Sequence, residues 1–307
     1  MGDCKHYIEP FFGSGAVLLN RPNFAGSIET VCDKDGFLTN VWRSLQFNPE
    51  EVSRWCDWPV NHGDLSARKK ELIKNEERLL ENLINNPDWY DAKLAGYWVW
   101  AASCWIGSGL TRIGKRPHVS DGGKGVHALG KRPHVSDGGK GVHALGQIPH
   151  VSDGGKGVQE PYNTNIYTWF RKLSERLRNV RVVCGNWTRV CGGNWQDKCG
   201  VVGIYFDPPY GITDRDTTLY HHDSTDIAKD VLLWCREKGV NKNYRIVISG
   251  YEEYIELLND GWSSESWSAQ GGYANLAKNN KNENRHREIL YYSPYCINKH
   301  GSQKKMF

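Results

Sequence analysis

The sequence predicts an α/β fold, and three observations carry that prediction. Short apolar runs of strand length alternate with segments of helical periodicity. The N-terminal stretch reads as strand, glycine-bearing turn, helix, strand and acid, in that order. Further on, an apolar run at 201–206 delivers Asp207-Pro208-Pro209-Tyr210 to the carboxyl end of a strand.

Taken in order, a first strand ends near Ile8, a turn occupies 9–15, and a helix starts at 16–19. A second strand at 27–32 stops at Asp33, which completes the opening of a Rossmann-like nucleotide-binding unit. A helix is expected at 37–45 and a clearer one at 67–85, where Leu72, Ile73, Leu79, Leu80, Leu83 and Ile84 recur as one buried face requires. An aromatic-rich helix follows at 91–106. Then comes a repeat with a 16-residue period: 114–129 and 130–145 are identical, and 146–159 is a degraded third copy. Each copy holds four glycines and one proline, so turns and short extended pieces are expected rather than a long helix or a central strand. The α/β pattern resumes with a helix at 162–177, strands at 181–184 and 201–206, a helix at 226–237, and strands at 244–249, 263–268 and 287–292. The expected organisation is one α/β body from 1–60 and 160–307, interrupted by an insertion at 61–159 that holds the helices 67–106 and the repeats 114–159.

Composition narrows the function classes. Hydrophobic residues make up 39% of the 307 positions, with 13 Trp and 15 Tyr, far above what a solvated disordered chain carries. No apolar run approaches the roughly 18 to 20 residues that cross a bilayer, and the N-terminus lacks the pattern of a secretory signal, so a cytoplasmic protein is expected. The nine cysteines form no Cys-x-x-Cys pair; reduced thiols are expected, with neither a zinc site nor any other metal. The net charge of +4 resides wholly in 114–159, where seven bases face three acids. That distribution points to an acidic partner for the repeats.

The chemistry begins with Asp207-Pro208-Pro209-Tyr210, because open α/β sheets bind ligands at the carboxyl ends of their strands. An aromatic amine is a poor nucleophile, since its lone pair is delocalised into the ring. A carboxylate and a carbonyl held by stiff prolines can grip both amino hydrogens and pull the nitrogen towards tetrahedral geometry; Asp207 and the Pro208 carbonyl suit these roles, and Tyr210 can stack on the ring. An ordinary turn after a strand is the bland alternative for these four residues alone. The N-terminal motif, residues 7–16, has a Phe-x-Gly-x-Gly core rather than Gly-x-Gly-x-x-Gly, which disfavours a dinucleotide. Its glycines allow close approach of a ligand at a helix N-terminus, and Asp33 stands where an acid can accept from ribose hydroxyls.

Taken together, these motifs resemble the Dam-like class of DNA adenine methyltransferases, especially its phage and bacterial mobile-element branch, which includes restriction-modification enzymes. The resemblance spans Tyr7 to Pro294 and rests on Glu9-Pro10-Phe11-Phe12-Gly13-Ser14-Gly15, Asp33, Trp105-Ile106-Gly107-Ser108-Gly109, Asp207-Pro208-Pro209-Tyr210, Ile248-Ser249-Gly250-Tyr251, and Asn284-Arg285 with Glu288. It implies a Rossmann-like S-adenosylmethionine-dependent sheet with a helical, repeat-bearing target-recognition insertion. It implies that Glu9, Pro10, Phe11, Gly13, Ser14, Gly15, Asp33, Asn186 and Asp207 hold S-adenosylmethionine. Asp207, Pro208, Pro209 and Tyr210 are expected to hold an adenine flipped out of double-stranded DNA. Two departures stand out. Similar proteins usually carry Gly-Gly-Lys ahead of the glycine turn, whereas eight residues precede Glu9 here, which bears on cofactor affinity and activity. They also often carry Asp in place of Asn186, which keeps an acceptor but lacks the charge.

The repeats set Lys and Arg beside Asp-Gly-Gly-Lys-Gly turns, a spacing suited to phosphates, with Lys115, Arg116, Lys124, Lys131, Arg132 and Lys140 as the candidate DNA contacts. A solvated, recently duplicated loop is the bland alternative. The five histidines at 118, 127, 134, 143 and 150 follow the duplication, so their spacing is not that of metal ligands. Cytosine carbon-5 chemistry is disfavoured, since none of the cysteines follows a proline. Two alternatives remain at this level: a catalytically silent DNA-binding homologue, and methylation of cytosine's amino group.

Overall fold

The structure is a computed structural model and describes residues 1–22, 24–105, 110, 165–209, 227–266 and 288–297. The repeats with their lysines and arginines, the segment 106–109, Tyr210, Asn284 and Arg285 lie outside the described residues.

Strand β1 (His6–Glu9) pairs in parallel with β2 (Ile28–Asp33) on one side and with β4 (Val202–Phe206) on the other. Strand β3 (Val180–Cys184) extends the sheet beyond β2, and β5 (Tyr244–Gly250) extends it beyond β4, both in parallel. The antiparallel β7 (Ile289–Tyr292) then lies between β5 and β6 (Ser263–Ser266). Among the described residues the order is β3-β2-β1-β4-β5-β7-β6. The fold is α/β with a mostly parallel seven-stranded sheet, compatible with a Rossmann-like arrangement. Its first five strands follow the doubly wound order, and it departs from the dinucleotide-binding sheet where β7 is wedged in reversed.

Asp35 caps α2 (Gly36–Phe47), Asn48 caps α3 (Pro49–Cys56), Asn61 caps α4 (His62–Asn85), Asp91 caps α5 (Ala92–Cys104) and Asn165 caps α6 (Ile166–Leu177), each by accepting a backbone N–H in the first turn. Helix α3 was not anticipated, although Asn48 followed by Pro49 is a start signal. Helix α4 begins five residues before the expected position, where the Asn61 side chain accepts from Asp64 N at 2.7 Å. Its buried stripe is Leu65, Leu72, Leu79 and Leu83; Ile84 is exposed, because it lies roughly 120° around the helix from Leu72.

Alternation along the strands divides the core into two layers. On one face Tyr7, Val31, Trp42, Leu72, Trp100 and Phe170 pack under α2 to α6. On the other, Ile8, Ile204, Phe206, Val231 and Ile248 pack under α7 (Thr188–Cys191) and α8 (Ile227–Gly239). Helices α4 and α5, grouped with the insertion on sequence, share the first core with Tyr7 and Val31 of the sheet. Buried Arg43 holds this layer to β3 by donating to the carbonyls of Val182, Leu83 and Asn86. Buried Arg68 does the same between helices: it donates to the Trp55 carbonyl at 2.8 Å and lies 4.4 Å from the ring centroids of Tyr97 and Trp100. All nine cysteines are free thiols, and no described helix is long and apolar enough to cross a membrane.

Helices α3 and α5 cross at Gly96, where a Cβ would stand 2.5 Å from Trp55 Cβ and 2.8 Å from the Val52 carbonyl oxygen. Overpacking of this kind costs about 1–3 kcal/mol, against a helix-propensity gain of at most about 1 kcal/mol for Gly→Ala. Gly96→Ala is therefore expected to unfold at lower urea concentration than the parent with an unchanged slope, as followed by circular dichroism.

Candidate active site

The chain runs from β1 out to β2 and β3, then returns past β1 to β4. Connections leave β1 and β4 in opposite directions, which opens a crevice at their carboxyl ends. The register pairs His6 with Val202 and Ile8 with Ile204, so the two strands end level with one another. The glycine turn and Asp207-Pro208-Pro209 consequently emerge side by side.

The glycine turn is held from below. Phe12 N donates to the Cys32 carbonyl at 2.9 Å, and Gly15 N closes the turn on the Phe12 carbonyl at 2.8 Å. Gly13 and Gly15 both adopt positive φ, +47° and +67°. At Gly15 a Cβ would press to 2.9 Å from the Phe12 ring and 3.2 Å from Trp42, so only glycine fits beneath α1 (Ala16–Leu19). At Gly13 a Cβ would meet nothing within 4 Å, so this side of the turn faces open space. Trp42 Nε1 donates to the Gly13 carbonyl at 3.0 Å, and the Ser14 hydroxyl accepts from Ala16 N at 3.3 Å.

Asp33 closes the end of β2. Its Oδ2 accepts from Gly13 N at 2.7 Å and its Oδ1 from Asp35 N at 2.8 Å. Burial, reinforced by the Asp35 carboxylate, pushes its pKa up to about 6 against these hydrogen bonds. Because the Gly13 amide is committed to a carboxylate, it does not point at an incoming phosphate as the amides of dinucleotide-binding turns do.

Glu9, only 2% exposed, accepts from the Tyr7 hydroxyl at 3.0 Å and from the Leu18 amide. Burial pushes its pKa up to about 8, and the fields of Asp207 and Glu29 act in the same direction. Glu29 is itself paired with Arg21 at 2.7 Å and Arg176 at 2.6 Å; Arg176 also donates to the Leu18 carbonyl at 2.8 Å, tying α6 to α1 and β2.

After β4, Asp207 is exposed, Pro208 is buried and Pro209 is half-buried. The Asp207 charge acts on both Glu9 and Tyr205, which sets it in the same carboxyl cluster. Pro10 is buried, and Phe11 leans on Phe206 and Trp187 with ring centroids 6.2 and 6.5 Å apart. Trp187 meets Phe206 edge-on at 6.0 Å and Trp234 at 6.3 Å, forming an aromatic floor that sequence reasoning missed, since its rings come from the glycine turn, the head of α7, β4 and α8. Asn186 is exposed, and its Oδ1 accepts from Thr188 N and Oγ1, both at 3.0 Å. On β5, Gly250 lets the Tyr254 ring lie against the strand end, where a Cβ would approach it to 2.5 Å.

Asp33, Asp35 and Asp207 thus lie along one edge, with Glu252 and Glu253 just past β5 and Glu9 buried behind them. An edge of this sign attracts a cation and repels phosphates. Among the described residues, no cluster of His, Cys, Asp and Glu is arranged to hold a metal ion. In comparison with known proteins, no family model and no curated protein matches the chain.

Glu9 holds its proton to about pH 8 when folded, against an ordinary value of 4.5. Between those values the folded state binds the extra proton, so the stability this acid contributes is complete below 4.5 and is lost as pH rises through about 8. Asp33 acts likewise between 3.8 and about 6. Urea midpoints should fall from about pH 5 to about pH 8.5, by a free energy on the order of a few kcal/mol, and Glu9→Gln should flatten the part above about pH 6. An equal fall in both proteins would assign the pH dependence elsewhere.

Proposed function

We propose that this chain is a DNA methyltransferase that moves the methyl group of S-adenosylmethionine to the 6-amino group of adenine. The observation that carries the reading is the juxtaposition at the β1/β4 switch point: a glycine turn with one open side beside a proline-stiffened carboxylate, both on an acidic edge.

The residues present fit this cofactor. It is a cation, which the carboxylates favour, and it has no phosphates for the turn to cradle. Gly13 offers the open approach, Phe11 an apolar ring, and Asp33 acceptor capacity beyond the backbone amides it already accepts from. Glu9, Pro10, Ser14, Gly15 and Asn186 shape the pocket around them. S-adenosylmethionine, when bound, supplies an electrophilic methyl carbon on its sulfonium.

The chain's own task is to prepare the amine. The Asp207 carboxylate accepts one amino hydrogen and the Pro208 carbonyl the other, drawing the lone pair out of conjugation and aiming it across the crevice. The buried Pro208 ring keeps this pair stiff, so no reorganisation accompanies the reaction. In this reading Pro209 and Tyr210 complete the pocket for a base flipped from the duplex. Lys115, Arg116, Lys124, Lys131, Arg132 and Lys140 of the repeats, which lie outside the described residues, neutralise backbone phosphates.

Labelled S-adenosylmethionine incubated with DNA is expected to place label in N6-methyladenine. Asp207→Ala should lower kcat about 100-fold or more, with a much smaller loss of cofactor binding. Equal incorporation by the variant would discard the role of Asp207. A methylcytosine product alone would move the target to cytosine, and cofactor binding by neither protein would sink the reading. For the repeats, deleting 130–145 should weaken DNA binding and make its salt dependence shallower, since three of the six candidate phosphate contacts are removed. Superimposable isotherms across a salt series would leave the repeat a passive spacer.

A further inference from the structure

Glu9 is a buried titratable group for which the chemistry above has no use beyond shaping the pocket. It heads the glycine turn at 2% exposure, and polar groups reach it from every side. On its own strand the Tyr7 hydroxyl donates to it, and from α1 the Leu18 amide does; both favour the ionised carboxylate. Asp207, following β4, and Glu29, on β2, oppose ionisation. Tyr205 of β4 lies in the field of both Glu9 and Asp207. Arg21, after α1, and Arg176, on α6, are committed to Glu29.

We propose that a cation entering this crevice draws the proton off Glu9, so that the sulfonium methyl donor binds with release of a proton and its neutral thioether product leaves Glu9 protonated again. The proposal rests on the methyl-donor reading of the site and adds to it a means of telling donor from spent product. With its pKa near 8, Glu9 is an acid at neutral pH, and a nearby opposite charge lowers a carboxyl pKa by about 1–3. A positive charge held within about 4–6 Å of the carboxyl would shift it towards the ionised form at neutral pH.

The proton balance closes over the transfer. An amine that gains a methyl group gives up one N–H proton, and the cofactor loses its positive charge in the same event. Asp207 accepts that proton in the hydrogen bond it already makes to the amine. Asp207, which is exposed, passes it to solvent, and Glu9, ionised beforehand, takes one proton up as the positive charge is lost. One N–H bond breaks and one carboxyl O–H bond forms, so no net proton appears in solvent during transfer.

Calorimetry in buffers of different ionisation enthalpy counts the protons exchanged when S-adenosylmethionine or S-adenosylhomocysteine binds the full chain. The free ligands' own amino groups are titrated separately and subtracted. Near neutral pH the expectation is release of a sizeable fraction of one proton with the cationic ligand and little with the neutral one, a difference that vanishes in Glu9→Gln. In the parent, preference for the cationic ligand should rise with pH by up to about tenfold per unit below the Glu9 pKa. Tyr7→Phe, which deletes the hydrogen bond favouring the carboxylate, should move that rise to higher pH. The parent series stands even where Glu9→Gln fails to fold. A preference that stays flat from about pH 6 to about pH 8.5 overturns the proton coupling and leaves the methyltransferase reading intact. Failure of both ligands to bind at any pH overturns both.

Discussion

Parallel hydrogen bonding of β1 to β2 on one flank and to β4 on the other determines where chemistry can sit in this molecule. Parallel strands need crossover connections, and these are almost always right-handed. A chain that has built β1, β2 and β3 outward can reach β4 only by passing back over the sheet. The gap between the two winding directions falls above β1 and β4, and every candidate residue on those strands inherits its position from that gap. Glu9 and Asp207 are neighbours for this reason, although 198 positions separate them.

The character of the gap follows from how its glycines are used. In a phosphate-binding turn the backbone amides face the ligand; here the Gly13 amide faces Asp33, and Gly15 is pressed against Phe12 and Trp42. The turn is thereby spent on holding the Asp33 carboxylate and the rings of Phe12 and Trp42 in place. What it presents outward is negative charge and one bare backbone face.

Much of this was legible in the sequence because it rests on local signals. Glycines at 13 and 15, the acid ending β2 and the prolines after β4 are short-range features whose backbone consequences do not depend on distant partners. Strand β4 was found for the same reason, since it is buried on both faces and reads as an apolar run, whereas β1, His6 to Glu9, was found from the glycine turn that follows it. Helix α3 was passed over because PEEVSRWC is polar and short, and its three buried residues, Val52, Ser53 and Cys56, become meaningful only once α5 lies across them. The floor of Phe11, Trp187, Phe206 and Trp234 was invisible for a related reason: four rings from four elements meet there, and no window of sequence contains them. The ionisation state of Glu9 was equally hidden, as it depends first on burial in the folded chain and then on Asp207 and Glu29 arriving from elsewhere in the sequence.

Both ends of the stretch that carries the repeats are fastened to the sheet layer. On the way in, Asp91 at the head of α5 is bonded to Asn40 of α2. On the way out, Arg176 of α6 clasps Glu29 and the last turn of α1. With the exit and re-entry points anchored, one more or one fewer 16-residue copy changes chain-closure entropy by only about a few tenths of a kcal/mol. A change in copy number lengthens or shortens the chain between these two anchors without touching the bonds that hold the crevice.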